Sequence, residues 1–271
     1  MTARLQALVP VILAGLILTG VDGAALAASL AAHRATYELS LDRVEGGGVV
    51  AATGHMTYQV TDTCTGWATQ QQLRLQTVTR DGGPTNLVSD YATLESKDGH
   101  HLTFDMRQRA NGATTEQVRG EATIPAPGSS DGAGSIAYTL PHPAKLALPP
   151  GTLFPMAHTL AILQAAEAGK KSLAPVLFDG TGPDGAQDTY VLITGLQPPP
   201  SQSDRPPLAA LGSAQVHVAF FSRAPGTISP DYEAAMRYFS NGVSDRVLMD
   251  FGTFTMRATM HDFVLGKPAH C

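Results

Sequence analysis

Along most of the chain the apolar positions return at every second residue. In HRATYELSLD (33–42), Ala35, Tyr37, Leu39 and Leu41 share one parity, while Thr36, Glu38, Ser40 and Asp42 share the other. A period of two marks a half-buried strand. The pattern recurs in HMTYQVTD (Met56, Tyr58, Val60), HLTFDMRQR (Leu102, Phe104, Met106), AQVHVAFFS (Val216, Val218, Phe220) and TFTMRATM (Phe254, Met256, Ala258, Met260). KDGHH at Lys97, ANGA at Ala110, GPDGAQ at Gly182 and SNGVS at Ser240 punctuate the runs with residues that tolerate the positive φ of tight hairpins. The expected count is about a dozen to fourteen strands, mostly antiparallel.

One stretch breaks the alternation. FPMAHTLAILQAAEAGKK has Pro155 at a first helical position, Leu160 and Leu163 with Ala157 and Ala166 on one face, and Gly169 with two lysines at the end, which predicts a helix. One helix among so many strands makes the fold class mainly β, a large antiparallel barrel or strongly curved sheet closed to manage its edges, with the helix across or inside it. PAPGSSDGAG and QPPPSQSDRPP read as surface loops, and no internal repeat of fixed period is present.

The first residues change the picture from fold to location. Arg4, the apolar run LVPVILAGLILTG and the small residues AALAAS have the form of a secretory signal peptide. Cleavage after Ala25, Ala27 or Ala28 fits, and Ala27 fits best. The expected organisation is a signal peptide over 1–27 and a single β-barrel-like domain over 28–271. No later stretch holds the roughly eighteen apolar residues of a membrane helix, so no transmembrane segment is expected once the signal is removed. The formal net charge of −5 lacks the clustered Lys and Arg that nucleic acid requires.

Export bears directly on the two cysteines, Cys64 in TDTCTGWA and Cys271, the last residue. In an oxidising compartment they form a disulfide; it would tie the terminal strand to the strand near Trp67 and close the two ends of the sheet on each other. A metal site of Cys64, Cys271, His270 and a further histidine, or a free thiol, are the alternatives.

Other candidate chemistry is sparse. GSSDG at Gly128 fits G-x-S-x-G with Ser130 as nucleophile, but its flanks are loop rather than strand and helix. Asp250-Phe251-Gly252 lacks every companion motif of a kinase. His100 and His101 point to opposite faces of a strand, and His217 and His261 lie on strands as ordinary side chains. His158 on the helix is a candidate ligand-pocket residue, because a polar group facing a barrel interior lines such cavities. Trp67, the single tryptophan, packs as core beside the disulfide or stacks on a ligand. Glu167 and Asp179 form no evident pair.

The signal peptide, TDTCTGWAT, LPPGTLFPMAHT leading into a lone helix, PVLFDGTGPDG after it and a terminal cysteine together resemble the cell-envelope integrity EipB family, over essentially the whole mature chain. The resemblance implies a periplasmic protein of Gram-negative bacteria, a long, spiral-like open barrel of about fourteen antiparallel strands, and a disulfide between Cys64 and Cys271. It brings no catalytic site, metal or cofactor. The expected function is non-enzymatic support of the envelope by binding a lipidic or other apolar ligand, or a periplasmic protein partner; the competing reading is an exported serine hydrolase using Ser130 with His158.

Overall fold

The computed structural model describes residues 29–46, 48–126, 133–199, 206–267 and 269–271. The expected signal peptide over 1–27 and Ser130 lie outside them. Eight strands come first: β1 (His33–Val44), β2 (Val49–Asp62), β3 (Gly66–Thr79), β4 (Pro84–Ser96), β5 (His101–Ala110), β6 (Ala113–Thr123), β7 (Gly134–Leu140) and β8 (Ala144–Leu148). A short β9 (Thr152–Leu153) leads into α1 (Pro155–Glu167). Then follow β10 (Ser172–Leu173), β11 (Val176–Leu177), β12 (Gln187–Ile193), β13 (Ser213–Phe221), β14 (Tyr232–Phe239), β15 (Ser244–Asp250) and β16 (Phe254–Leu265). The strands beyond the expected number are β9, β10 and β11, two-residue pairings too short to show a period.

All belong to one sheet, in the order β8-β7-β6-β5-β4-β3-β2-β1-β16-β15-β14-β13-β12-β11-β9, with β10 also on β12. The first and last strands thus pair with each other in the middle, and the sheet's edges are β8 and β9. Those edges are neighbours in sequence. Laid flat, fifteen strands would hold their edges roughly 67 Å apart, yet Leu148 and Thr152 are four residues apart, a reach of about 14 Å. The sheet must therefore curl into a nearly closed barrel.

This topology corrects the expectation that the disulfide closes the ends of the sheet. Cys64 and Cys271 are bonded, with Cα atoms 5.8 Å apart, but Cys64 lies in the β2–β3 turn and Cys271 follows β16. The bridge therefore reinforces the centre of the sheet, where both chain ends meet, and leaves the β8/β9 seam untouched.

The hairpins are local in origin. Between β5 and β6, Asn111 and Gly112 have φ of 49° and 87°, the paired positive values of the mirror-image turn that matches strand twist. The inward parity buries Ala35, Tyr37 and Leu39 on β1, Leu102, Phe104 and Met106 on β5, and Met256, Ala258 and Met260 on β16.

The helix lies within the curl. Met156, His158, Ile162, Leu163, Ala165 and Ala166 are buried, more than the single stripe through Leu160 and Leu163 that the sequence suggests, because strands face α1 from several directions. Ile162, Ala165 and Ala166 pack with Val191, Ile193, Ala214, Val216 and Val218 of β12 and β13.

Candidate ligand lumen and the seat of the helix

Helix α1 begins without a side-chain cap: Phe154 occupies the cap position and makes no such hydrogen bond. Glu95 of β4, brought from 60 residues away by the sheet, supplies it. The backbone N–H of Met156 donates to Glu95 Oε2 at 2.7 Å and that of Ala157 to Oε1 at 2.8 Å. These are two of the donors that a helix start leaves unpaired, and the positive end of the helix favours the carboxylate there. Burial works against it: Glu95 is 1 % exposed, which pushes its carboxyl up to about 7 against the opposing pull of the two N–H groups.

On the other flank His158 is tied to β12. Thr189 Oγ1 donates to the Pro175 carbonyl at 2.7 Å, so it accepts from His158, whose Nε2 lies 3.1 Å away. His158 is therefore the neutral Nε2–H tautomer, in keeping with burial pushing it down to about 4. Glu95 and His158 thus hold opposite sides of one helical turn.

Trp67 pairs with Glu95 across β3 and β4 and with Asp62 across β2 and β3, so it shares their inward face. Lys97 Nζ sits 4.9 Å over its ring and 2.7 Å from Asp62 Oδ1. The half-buried Trp67 thus already carries a cation on its ring. Trp67 and Glu95 stand together, while His158 reaches away to β12.

The turn that holds Cys64 is built locally. Cys64 has φ +70°, and its N–H donates to Asp62 Oδ1 at 2.9 Å, an Asx turn that accommodates the left-handed backbone. With both cysteines in the disulfide, the thiolate-metal and free-thiol alternatives fall away.

The rest of the inward face divides in two. Around β5 to β8, Phe104, Tyr138, Phe154 and Phe178 form a packed cluster, with ring centroids 5.3 Å apart for Phe104–Phe178 and 5.6 Å for Phe104–Tyr138. Along β2 to β4 the packing is looser. Tyr58, Gln71, Leu73, Leu87 and Tyr91 all point inward by register, yet each is only partly buried. Leu41, Tyr58, Leu73, Leu87 and Met236 rest against a buried cluster on one side and keep free apolar surface on the other.

Sequence reasoning missed Glu95 as the seat of the helix. The signal was present in its parity, since Leu87, Tyr91, Thr93 and Glu95 alternate inward; a carboxylate on a core face demands a partner. That the partner is the start of α1 is decided by the fold.

Comparison with known proteins agrees with this architecture. The chain is 28% identical over 251 residues to the cell envelope integrity protein EipB of Brucella abortus (strain 2308), covering 89% of this chain and 87% of that protein. A crystal structure of a β-barrel-like protein from Brucella abortus, assigned to a domain of unknown function, matches with a TM-score of 0.79 at 26% identity, over 89% of this chain and all of that one. The model of the EipB-like family matches residues 24–266, and the chain belongs to that family.

Proposed function

We propose that this protein supports the integrity of the cell envelope from the periplasm, after export and removal of residues 1–27, by holding a lipidic or other apolar ligand within its curled sheet. The observation that carries this reading is the partly exposed inward row of Leu41, Tyr58, Leu73, Leu87, Tyr91 and Met236. Apolar side chains left partly uncovered inside a barrel lose hydrophobic stabilisation that an acyl chain would restore. The EipB relative's name supports the envelope role, and the disulfide fits an oxidising compartment. Helix α1 and the aromatic cluster close the lumen on one side, with Trp67, Glu95 and His158 around the first helical turn.

Native mass spectrometry of the mature protein, isolated from periplasm without detergent, tests this directly. The expected result is a co-purifying lipid that is lost in Leu73→Trp, which fills the space, and retained in a surface variant such as Gln76→Ala. A wild-type protein free of any adduct, and unable to take up a fluorescent fatty acid after delipidation, overturns the reading.

A further inference from the structure

The outer face of the same strands carries a site of opposite chemistry. A groove of about 580 Å³ crosses β1 to β6, lined among others by Arg34, Gln59, Gln70, Gln72, Asp90 and Arg107. The register shows how it is built. Across neighbouring strands Arg34 faces Gln59, Gln59 faces Gln70, Gln70 faces Ala92, Ala92 faces Asp105, and Asp105 faces Arg119. One step along, Thr57 faces Gln72, Gln72 faces Asp90, and Asp90 faces Arg107. Two rows of mostly long polar side chains thus run perpendicular to the strands, the first across six of them, a span of about 24 Å, and the second across four. The single small member, Ala92, forms the floor of the groove.

The lining offers a particular set of hydrogen-bonding groups. Arg119 is held by Asp105 at 2.5 Å, and Asp90 by Arg109 at 2.7 Å. The side chains of Arg107, Gln70 and Gln72 have no hydrogen-bond or ion-pair partner among the described residues. Uncommitted amides and paired Arg–Asp groups present donors and acceptors side by side, which suits hydroxyls. Arg34 on β1 and Arg107 on β5 stand four strand spacings apart, roughly 19 Å, with Gln59, Gln70, Gln72 and the paired carboxylate of Asp90 between them. One small anion cannot reach both. A nucleic-acid strand would need stacking rings, and no aromatic side chain points outward in either row.

We infer that this groove binds a linear acidic glycan, whose hydroxyls lie along Gln59, Gln70 and Gln72 and whose carboxylates meet Arg34 and Arg107. The two polar rows point away from the apolar row, although Gln71 and Tyr91 also line the groove, and binding there does not require a lipid.

The test is calorimetric and NMR titration of the mature protein at low salt with pentagalacturonate. Neutral cellopentaose, a pentaglutamate peptide and inorganic phosphate serve as comparison probes. Saturable binding is expected, with amide shifts confined to β1 to β6, and losing one charge-assisted contact in Arg107→Ala should weaken it about tenfold. Ala92→Leu, which raises the floor, should abolish binding while leaving the melting temperature and fatty-acid uptake unchanged. Weaker binding of cellopentaose and pentaglutamate supports the joint reading of charge and hydroxyls. The inference is overturned if pentagalacturonate gives no saturable shift at millimolar concentration or its shifts map elsewhere. It is equally overturned if Arg107→Ala binds as wild type, or if pentaglutamate or phosphate binds as tightly as the sugar.

Discussion

The inner surface of the barrel is packed in one part and open in another, although a single alternating pattern produced both. On β5 to β8 the inward residues meet Phe154 and Phe178, which flank α1, and Phe104 is 1 % exposed. On β2 to β4 the inward residues Tyr58, Leu73, Leu87 and Tyr91 keep accessible surface. The strands of the two regions also differ in length. β7 and β8 have 7 and 5 residues, whereas β2, β3 and β4 have 14, 14 and 13. A helix of 13 residues is about 20 Å long, while a strand of 14 spans about 46 Å. The helix spans only part of the long strands, seated on β3 and β4 at Thr69 and Glu95 and packed along β12 and β13. Burial is therefore more complete in one region than in the other.

The disulfide belongs to the open region, at the β2–β3 turn, and its loss should have the largest effect. Constraining a separation of 207 residues stabilises by about 5 kcal/mol in the chain-entropy model. Cys64→Ser, Cys271→Ser and the double variant should therefore lower the melting temperature by nearly the same amount, and reductant should bring the wild type to that value. Unequal losses would mean that one cysteine acts outside the bond.

Next comes the packed region itself. Phe104→Ala removes a ring in contact with two others and should cost about 4 kcal/mol in denaturant unfolding. A cost near that of an exposed position would erase the contrast between the two regions.

The helix seat connects the regions, and its signature is a pH dependence. Glu95 is pushed up from 4.5 to about 7, so between those values the folded protein keeps a proton that the unfolded chain has released. Stability from this group is present at low pH and is lost as pH rises through that window. Glu95→Gln cannot titrate, so its stability relative to wild type should rise by roughly 1.4 kcal/mol per pH unit there, about 3 kcal/mol in all. His158, lowered from 6.5 to about 4, acts oppositely: its neutral form is favoured in the fold, so its contribution grows as pH rises from 4 to 6.5. These two contributions should nearly cancel in the overlap, and urea melts from pH 4.5 to 7 would expose the His158 slope in the Glu95 variant. A parallel pair of curves would show that Glu95 stays ionised throughout.

The smallest effect should fall in the open region. Leu73→Ala loses a side chain that is only partly buried and should cost about 1 kcal/mol without ligand. A lipid bound in the lumen would increase that cost, because ligand affinity adds to the stability of the state that binds it.

Much of this was legible in the chain. The parity of Ala35, Tyr37 and Leu39, or of Met256, Ala258 and Met260, specified inward and outward faces, because side-chain direction in a strand depends only on odd or even position. Asn111-Gly112 specified a hairpin, because few other residues take paired positive φ cheaply. Two cysteines left one simple pairing. Which strands become neighbours was another matter: β1 on β16, with β8 and β9 at the seam, depends on how the whole sheet curls, and no local pattern encodes it. That curl put Cys271 at the centre of the sheet, brought Glu95 under Met156 and Ala157, and aligned Gln59, Gln70 and Arg107 in rows across strands far apart in sequence. Alternation decides which way a side chain points; only closure of the sheet decides what it meets there.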